Sequence, residues 1–357
     1  MPDERDAAGK RIGADGRECR DPSMASALEQ LQEKTGAKFA TLLDARDYTA
    51  KRLAERRSQL SRLAVDANVA VVMMGSWGRR ELTSESDDDF MLLVHGAPGS
   101  GEPRPTVDEV RRVLAGDPAG FGAPGREGIF ADVVYSADLV ERVGLDDDTN
   151  TNLTRRMLLI LESVAACNEA VLADARRAVI DDYLRDSIKD HRPPRFLLND
   201  LVRYWRTIGV DFVAKDRRRG GEGWGLRNAK LRTSRKLLFA SGLLPVLRCH
   251  ALTAAEIPAF LAAQFALPPT DRVADAFLQC GAEDAGAAVL AAYDRFLALL
   301  ANPDARKALR QIDSRAAADD EPIFGTVAEI GQAINDGLLE LLFGAELRKV
   351  TQTYAIL

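Results

Sequence analysis

Histidine and cysteine are both scarce, with three and four copies in 357 residues. The cysteines (Cys19, Cys167, Cys249 and Cys280) lie far apart with no Cys-x-x-Cys pair, and the histidines are equally scattered. That argues against a zinc site and points to a reducing, cytoplasmic setting. A surplus of positive charge is missing too. Lys and Arg total 48 against 54 Asp and Glu, for a net charge of −6, so the overall charge gives no argument for nucleic acid. No apolar run approaches the length of a membrane span, and the N-terminus is charged where a signal peptide would be apolar. No repeat recurs at a fixed period. What is present, 46% hydrophobic and 29% charged residues, is the composition of a globular chain long enough for two or three domains.

The informative stretch runs from Val69 to Val94. Val69 to Met74 is an apolar run of strand length that ends in Gly75-Ser76, and a second apolar run opens behind Asp87-Asp88-Asp89. Side chains alternate across a strand, so Asp87 and Asp89 project from one face. Two neighbouring carboxylates repel unless a cation sits between them. Mg²⁺ (or Mn²⁺) suits that place, because it takes carboxylate oxygens together with a substrate's phosphates. Gly75 permits close backbone approach to a ligand, and Ser76 offers a hydroxyl and an amide to a phosphate. Further on, Ile129 to Tyr135 is a strand-like run with one embedded acid, Asp132, and a lone acid in such a run needs a partner. The bland alternative is an acidic turn at Asp87 to Asp89, with Asp132 merely capping a strand.

This order of features resembles the signature of the DNA polymerase β-like nucleotidyltransferase superfamily: strand, Gly-Ser, short helix, Asp-x-Asp opening the next strand, and a third acid on a later one. The resemblance implies an α+β protein, with a small mixed-sheet catalytic core followed by a mostly α-helical domain. It implies Asp87, Asp89 and Asp132 as the metal triad and catalytic residues, with Asp132 placed to activate the attacking hydroxyl. The longer run Gly75-Ser76-x-Gly78-Arg79-x-Glu81, continuing to Ser86-Asp87-x-Asp89, is similar to the bacterial branch holding the nitrogen-regulatory uridylyl- and adenylyltransferases. Arg79 would then lie one turn into the short helix, beside the triphosphate. An ion pair with Glu81 or Asp87 that only shapes the loop is the equal alternative. One residue departs from the family pattern, which usually has an apolar residue between the two acids. Here it is Asp88, which should face the side of Phe90 and Leu92.

Residues 1–22 are rich in Gly, Asp, Arg and Glu with little to bury, and read as a disordered tail. Residues 23–145 read as the catalytic domain. It holds a short helix around Leu28 and Leu31, a longer one from Asp44 to Leu63, loops at Gly96 to Arg104 and Gly116 to Gly128, and helices on one side of the sheet. Asp146 to Asp148 reads as an exposed acidic connection, with cation binding as its alternative. Residues 146–250 read as a helical domain forming the other wall of the cleft, helical almost throughout from Leu153 until Pro193-Pro194. Residues 251–357 read as four or so Ala- and Leu-rich helices that support packing or oligomer contact.

Basic residues are dense between Lys215 and Lys236. Arg227, Lys230 and Ser234 fall at i, i+3 and i+7, on one helix face. They read as nucleotide-binding residues, together with Gly75, Ser76 and Arg79, that grip the phosphates. A solvated face is the alternative, and it is the preferred reading for Arg217, Arg218 and Arg219. Trp224 fits a core position between helices better than a stacking platform for a base.

The expected activity is metal-dependent transfer of a nucleoside monophosphate from an NTP, taken as ATP, to a hydroxyl acceptor with release of pyrophosphate. The acceptor is left open among a protein, an RNA end and a small molecule, and no membrane partner is expected. Two other readings remain: a nucleotide second-messenger synthase on the same fold, and a non-catalytic nucleotide-binding module.

Overall fold

The structure, a computed structural model, describes residues 25–99, 101–115, 129–185 and 188–356. The expected tail at 1–22 and the loop at 116–128 lie outside the described residues. The chain opens with α1 (Ala27–Thr35) and α2 (Ala40–Leu60), then β1 (Val69–Met74), α3 (Ser76–Arg79), β2 (Phe90–Val94) and α4 (Val107–Ala115). β3 (Val133–Tyr135), α5 (Ser136–Val140), α6 (Asn150–Leu161), β4 (Ser163–Ala165) and α7 (Glu169–Leu184) follow. β1 pairs antiparallel with β2, Val71 opposite Leu92, and with β4, Val72 opposite Ala165. β3 joins the far side of β2 in parallel, which gives a mixed sheet of order β3-β2-β1-β4.

β4 was not expected, because its segment reads as part of a continuous helical run. A short apolar stretch cannot be assigned to helix or strand by periodicity alone. Tertiary packing decides it: a Cβ on Gly78 of α3 would lie 1.9 Å from the carbonyl oxygen of Glu162, so α3 sits directly on the backbone leading into β4. Helices also cover both faces of the sheet, not one. Ala70, Val72, Met74, Met91 and Leu93 point into the large core, while Val71, Met73, Phe90 and Leu92 pack with Leu60, Trp77, Val110 and Leu114. Burial on both faces is why β1 and β2 read as unbroken apolar runs.

The acidic connection before α6 is only partly solvated. Thr149 caps α6 by accepting from the Asn152 amide, but Asp148 turns inward and is buried. Arg156 donates to it at 2.8 Å and also reaches Asp200 at 3.1 Å and the Tyr183 hydroxyl at 2.7 Å. A fully buried guanidinium needs counter-charge, and Asp148 supplies it from a stretch that looks like linker.

The helical remainder begins after Pro193-Pro194 with α8 (Arg195–Arg219) and α9 (Trp224–Lys230). A wide π-helical turn (Leu231–Arg235) leads into α10 (Lys236–Arg248). Then come α11 (Ile257–Phe265), α12 (Pro269–Gln279), α13 (Glu283–Ala301), α14 (Pro303–Gln311), α15 (Arg315–Asp319) and α16 (Pro322–Leu342). α1 is capped by Ser26 and Glu29 in a reciprocal pair and docks on the C-terminal helices, its Leu28 amide donating to Asp271 at 3.1 Å. One apolar core therefore runs from Leu28 to Val350. Trp224 is part of it, its ring 5.4 Å from that of Phe324. Among the described residues, no helix is long and apolar enough to cross a membrane.

Candidate active site

The turn after β1 and the acid loop before β2 are fastened together. Gly75 has φ +63°, and a Cβ there would stand 3.0 Å from Asp89 Oδ2, so no other residue fits without strain. The Met74 amide donates to the Asp89 carbonyl at 2.8 Å, which extends the β1–β2 ladder to the acids. Alternation then sorts the three aspartates. Asp88 turns to the Phe90 side, where it is buried and pairs with Arg56 of α2 at 2.8 Å, while Asp87 and Asp89 face the cleft. The acid where an apolar residue is usual therefore has a buried cation as its partner.

Gly75, Ser76, Asp87 and Asp89 line one wall of the cleft, with Lys230, Ser234 and Arg235 across from them. Arg79 lines the cleft and is ion-paired, to Glu81 at 2.8 Å and to Glu162, so the pair with Glu81 expected to shape the loop is present. Burial works against its charge, but the two glutamates outweigh that and raise its pKa. Glu81 is itself buried and accepts from the Tyr293 hydroxyl at 2.8 Å; burial pushes its pKa up. Arg235 reaches the other oxygen of Glu162 at 3.1 Å. Lys230 carries a pKa lowered to about 8, first by burial, then by Arg306 and Arg235, with Asp87 pulling the other way.

Arg227 and Asp132 are placed elsewhere. Arg227 turns away from the cleft to Asp216 at 2.9 Å and the Glu222 carbonyl. Arg227 and Lys230 share the regular turn of α9, but Asp216 at the end of α8 and the Glu222 carbonyl of the preceding loop hold the Arg227 guanidinium on their own side. Asp132 precedes β3, follows Ala131 at φ +54°, and is ion-paired with Arg155. It is not among the residues lining the cleft. Among the described residues, no three His, Cys, Asp or Glu side chains gather to hold a metal, so the expected three-acid set is not assembled. Two carboxylates beside a phosphate-sized cradle still fit Mg²⁺, which commonly binds through one or two carboxylates and completes its shell with substrate phosphates and water.

Sequence reasoning missed the contribution of the last helices. Tyr293, Leu297 and Leu300 of α13 and Arg306 of α14 line the cleft, as do Thr83 and Ser86 of the acid loop. One signal was available for Arg306. It shares the buried face of α14 with Leu309, an odd place for an arginine.

A Gly-Ser turn and paired carboxylates face a basic helical wall, and the family comparison supports a nucleotidyltransferase domain in the first third of the chain. Residues 22–125 match the family described as "Putative nucleotidyltransferase DUF294". The match takes in Gly75, Ser76, Asp87 and Asp89 and ends before Asp132 and the helical wall, and it supports nucleotidyl transfer in general. A comparison with curated proteins finds no match.

Proposed function

We propose that this protein transfers a nucleoside monophosphate from an NTP, ATP being the first candidate, to the hydroxyl of an acceptor. The observation that carries this reading is the meeting of Gly75, Ser76, Asp87 and Asp89 with Lys230 and Ser234 around one cleft. The α3 amides, the Ser76 hydroxyl and the Lys230 ammonium would bind the triphosphate, whose charge of about −4 they partly offset. Asp87 and Asp89 would hold Mg²⁺ or Mn²⁺, which when bound stabilises charge on the attacking and leaving oxygens. Glu162, bridging Arg79 and Arg235, ties the catalytic sheet to the helical wall and keeps the two halves in register. In the reaction the acceptor oxygen bonds to the α-phosphorus and gives its proton to solvent water. The bond from that phosphorus to the β-phosphate oxygen breaks, and pyrophosphate leaves.

The test incubates the protein with each α-labelled NTP and Mg²⁺ or Mn²⁺, with and without cell-derived protein, RNA and small-molecule fractions. Label transfer with pyrophosphate release, lost in Asp89→Asn, is expected in one fraction. Label joined to a second nucleotide without any fraction would identify a second-messenger synthase. Release from none of the four NTPs in any fraction would overturn the reading.

A further inference from the structure

Arg306 enters the cleft from α14, and among the described residues no hydrogen bond or ion pair answers its charge. The residue is 5% exposed, and its Nε is fully buried with no hydrogen-bond partner among the described residues. Burial and then Arg310 lower its pKa, against the pull of Asp87 and Glu85. A buried guanidinium without a close counter-charge is costly, so it needs a compensating use. The other cations of the cleft are accounted for differently. Arg79 and Arg235 are tied to Glu81 and Glu162. Lys230 has no such glutamate and lines the cleft together with Arg306 and Asp87. Lys230 and Arg306 therefore bring two like charges together opposite Asp87, an arrangement that disfavours the empty site and favours an anion.

The fold holds Arg306 there. α14 rests on α9, the helix that ends in Lys230. The Gly225 amide donates to the Ile312 carbonyl at 2.9 Å, and a Cβ on Gly225 would stand 2.6 Å from the Leu309 carbonyl. Only a glycine lets the two helices approach so closely.

We propose that Arg306 is a phosphate-binding residue that acts with Lys230 on the β- and γ-phosphates, so that the C-terminal helices complete the polyphosphate site. The identity of that polyphosphate as the tail of an NTP rests on the nucleotidyl-transfer reading above; the anion site itself rests on the two cations. A guanidinium offers phosphate two parallel donors where an ammonium offers a point charge. When the bond to the α-phosphorus breaks, its electron pair leaves with pyrophosphate, and Arg306 and Lys230 meet the charge that develops there.

The test is titration calorimetry with tripolyphosphate, a non-hydrolysable analogue of each NTP, and AMP, all with Mg²⁺, on wild type, Arg306→Ala and Arg306→Lys. Each protein is also melted without ligand. Arg306→Ala should bind tripolyphosphate about 10-fold or more weakly, and AMP within about twofold of wild type. Arg306→Lys should recover part of the loss. Without ligand, Arg306→Ala should melt at or above wild type, because an uncompensated buried charge has been removed. A structural arginine would do the reverse. Equal tripolyphosphate affinity in wild type and Arg306→Ala overturns the proposal, as does an equal loss for AMP or failure of the variant to fold. A wild type that binds no tripolyphosphate overturns it as well. Tripolyphosphate bound through Arg306 with none of the four NTP analogues bound overturns nucleotidyl transfer and leaves the anion site standing.

Discussion

Asp88→Ala tests whether the acid loop is held by its rear ion pair. Arg56 is 0% exposed and the Asp88 side chain 4%, with Nη2 and Oδ2 2.8 Å apart, so water screens the pair very little. Removing one partner of a buried pair costs about 3–5 kcal/mol, most of it from the charge left behind. Gln59 still accepts from Arg56 Nη1 at 2.9 Å, which places the expected loss at the lower end, about 3 kcal/mol. For a chain of this size that lowers Tm by roughly 6 °C, at about 2 °C per kcal/mol. Arg56→Leu/Asp88→Ala should be more stable than Asp88→Ala, because no charge remains buried. The cycle of single and double variants should give a coupling of about 2–3 kcal/mol. Urea unfolding supplies the numbers. A loss under 0.5 kcal/mol in Asp88→Ala, or a double variant no more stable than the single, would refute the reasoning. A second readout follows from position. Asp88 sits between the two cleft carboxylates, so transfer activity should fall in Asp88→Ala even at temperatures where the variant is fully folded.

Lys230 sets a pH dependence. Its folded pKa of about 8 lies below the ordinary 10.5, so between those values the unfolded chain holds the proton that the folded protein has released, and stability rises with pH. Lys230→Met should flatten that rise in a Tm–pH series, and an unchanged slope counts against a depressed Lys230. Triphosphate binding should restore the charge, so calorimetry near pH 8 in buffers of different ionisation enthalpy should show proton uptake, and affinity should fall above that pH. Gly75→Ala brings a Cβ to 3.0 Å from Asp89 Oδ2 at φ +63°, and should lower both stability, by about 1–3 kcal/mol, and transfer activity; a fully active variant refutes the close approach. Asp132→Asn should lower activity much less than Asp87→Asn does, because Asp132 is bound to Arg155 outside the cleft. Equal losses in the two variants would restore Asp132 to the metal set.

The parts of this protein legible in its sequence are those whose cause is local. An apolar run, a Gly-Ser turn and alternation across a strand are written within a few consecutive residues, and they located β1, β2, Gly75, Ser76 and the forward-facing Asp87 and Asp89. Alternation also sent Asp88 to the rear, though it did not name Arg56. Helical spacing placed Lys230 and Ser234 on the cleft wall, but failed for Arg227, which Asp216 of the preceding helix draws away. Other features have causes that lie far along the chain. Glu81 meets Tyr293 across 212 residues, and β4 exists because Glu162 packs against α3. Asp148 leaves a solvated-looking run to join Asp200, 52 residues on, around the buried Arg156, and Asp132 turns to Arg155. Arg306 becomes part of the site only when Gly225 lets α14 settle on α9. Periodicity reports which way a side chain leaves its own element. It carries no information about which distant charge or backbone will be waiting there, and burial makes that meeting decisive.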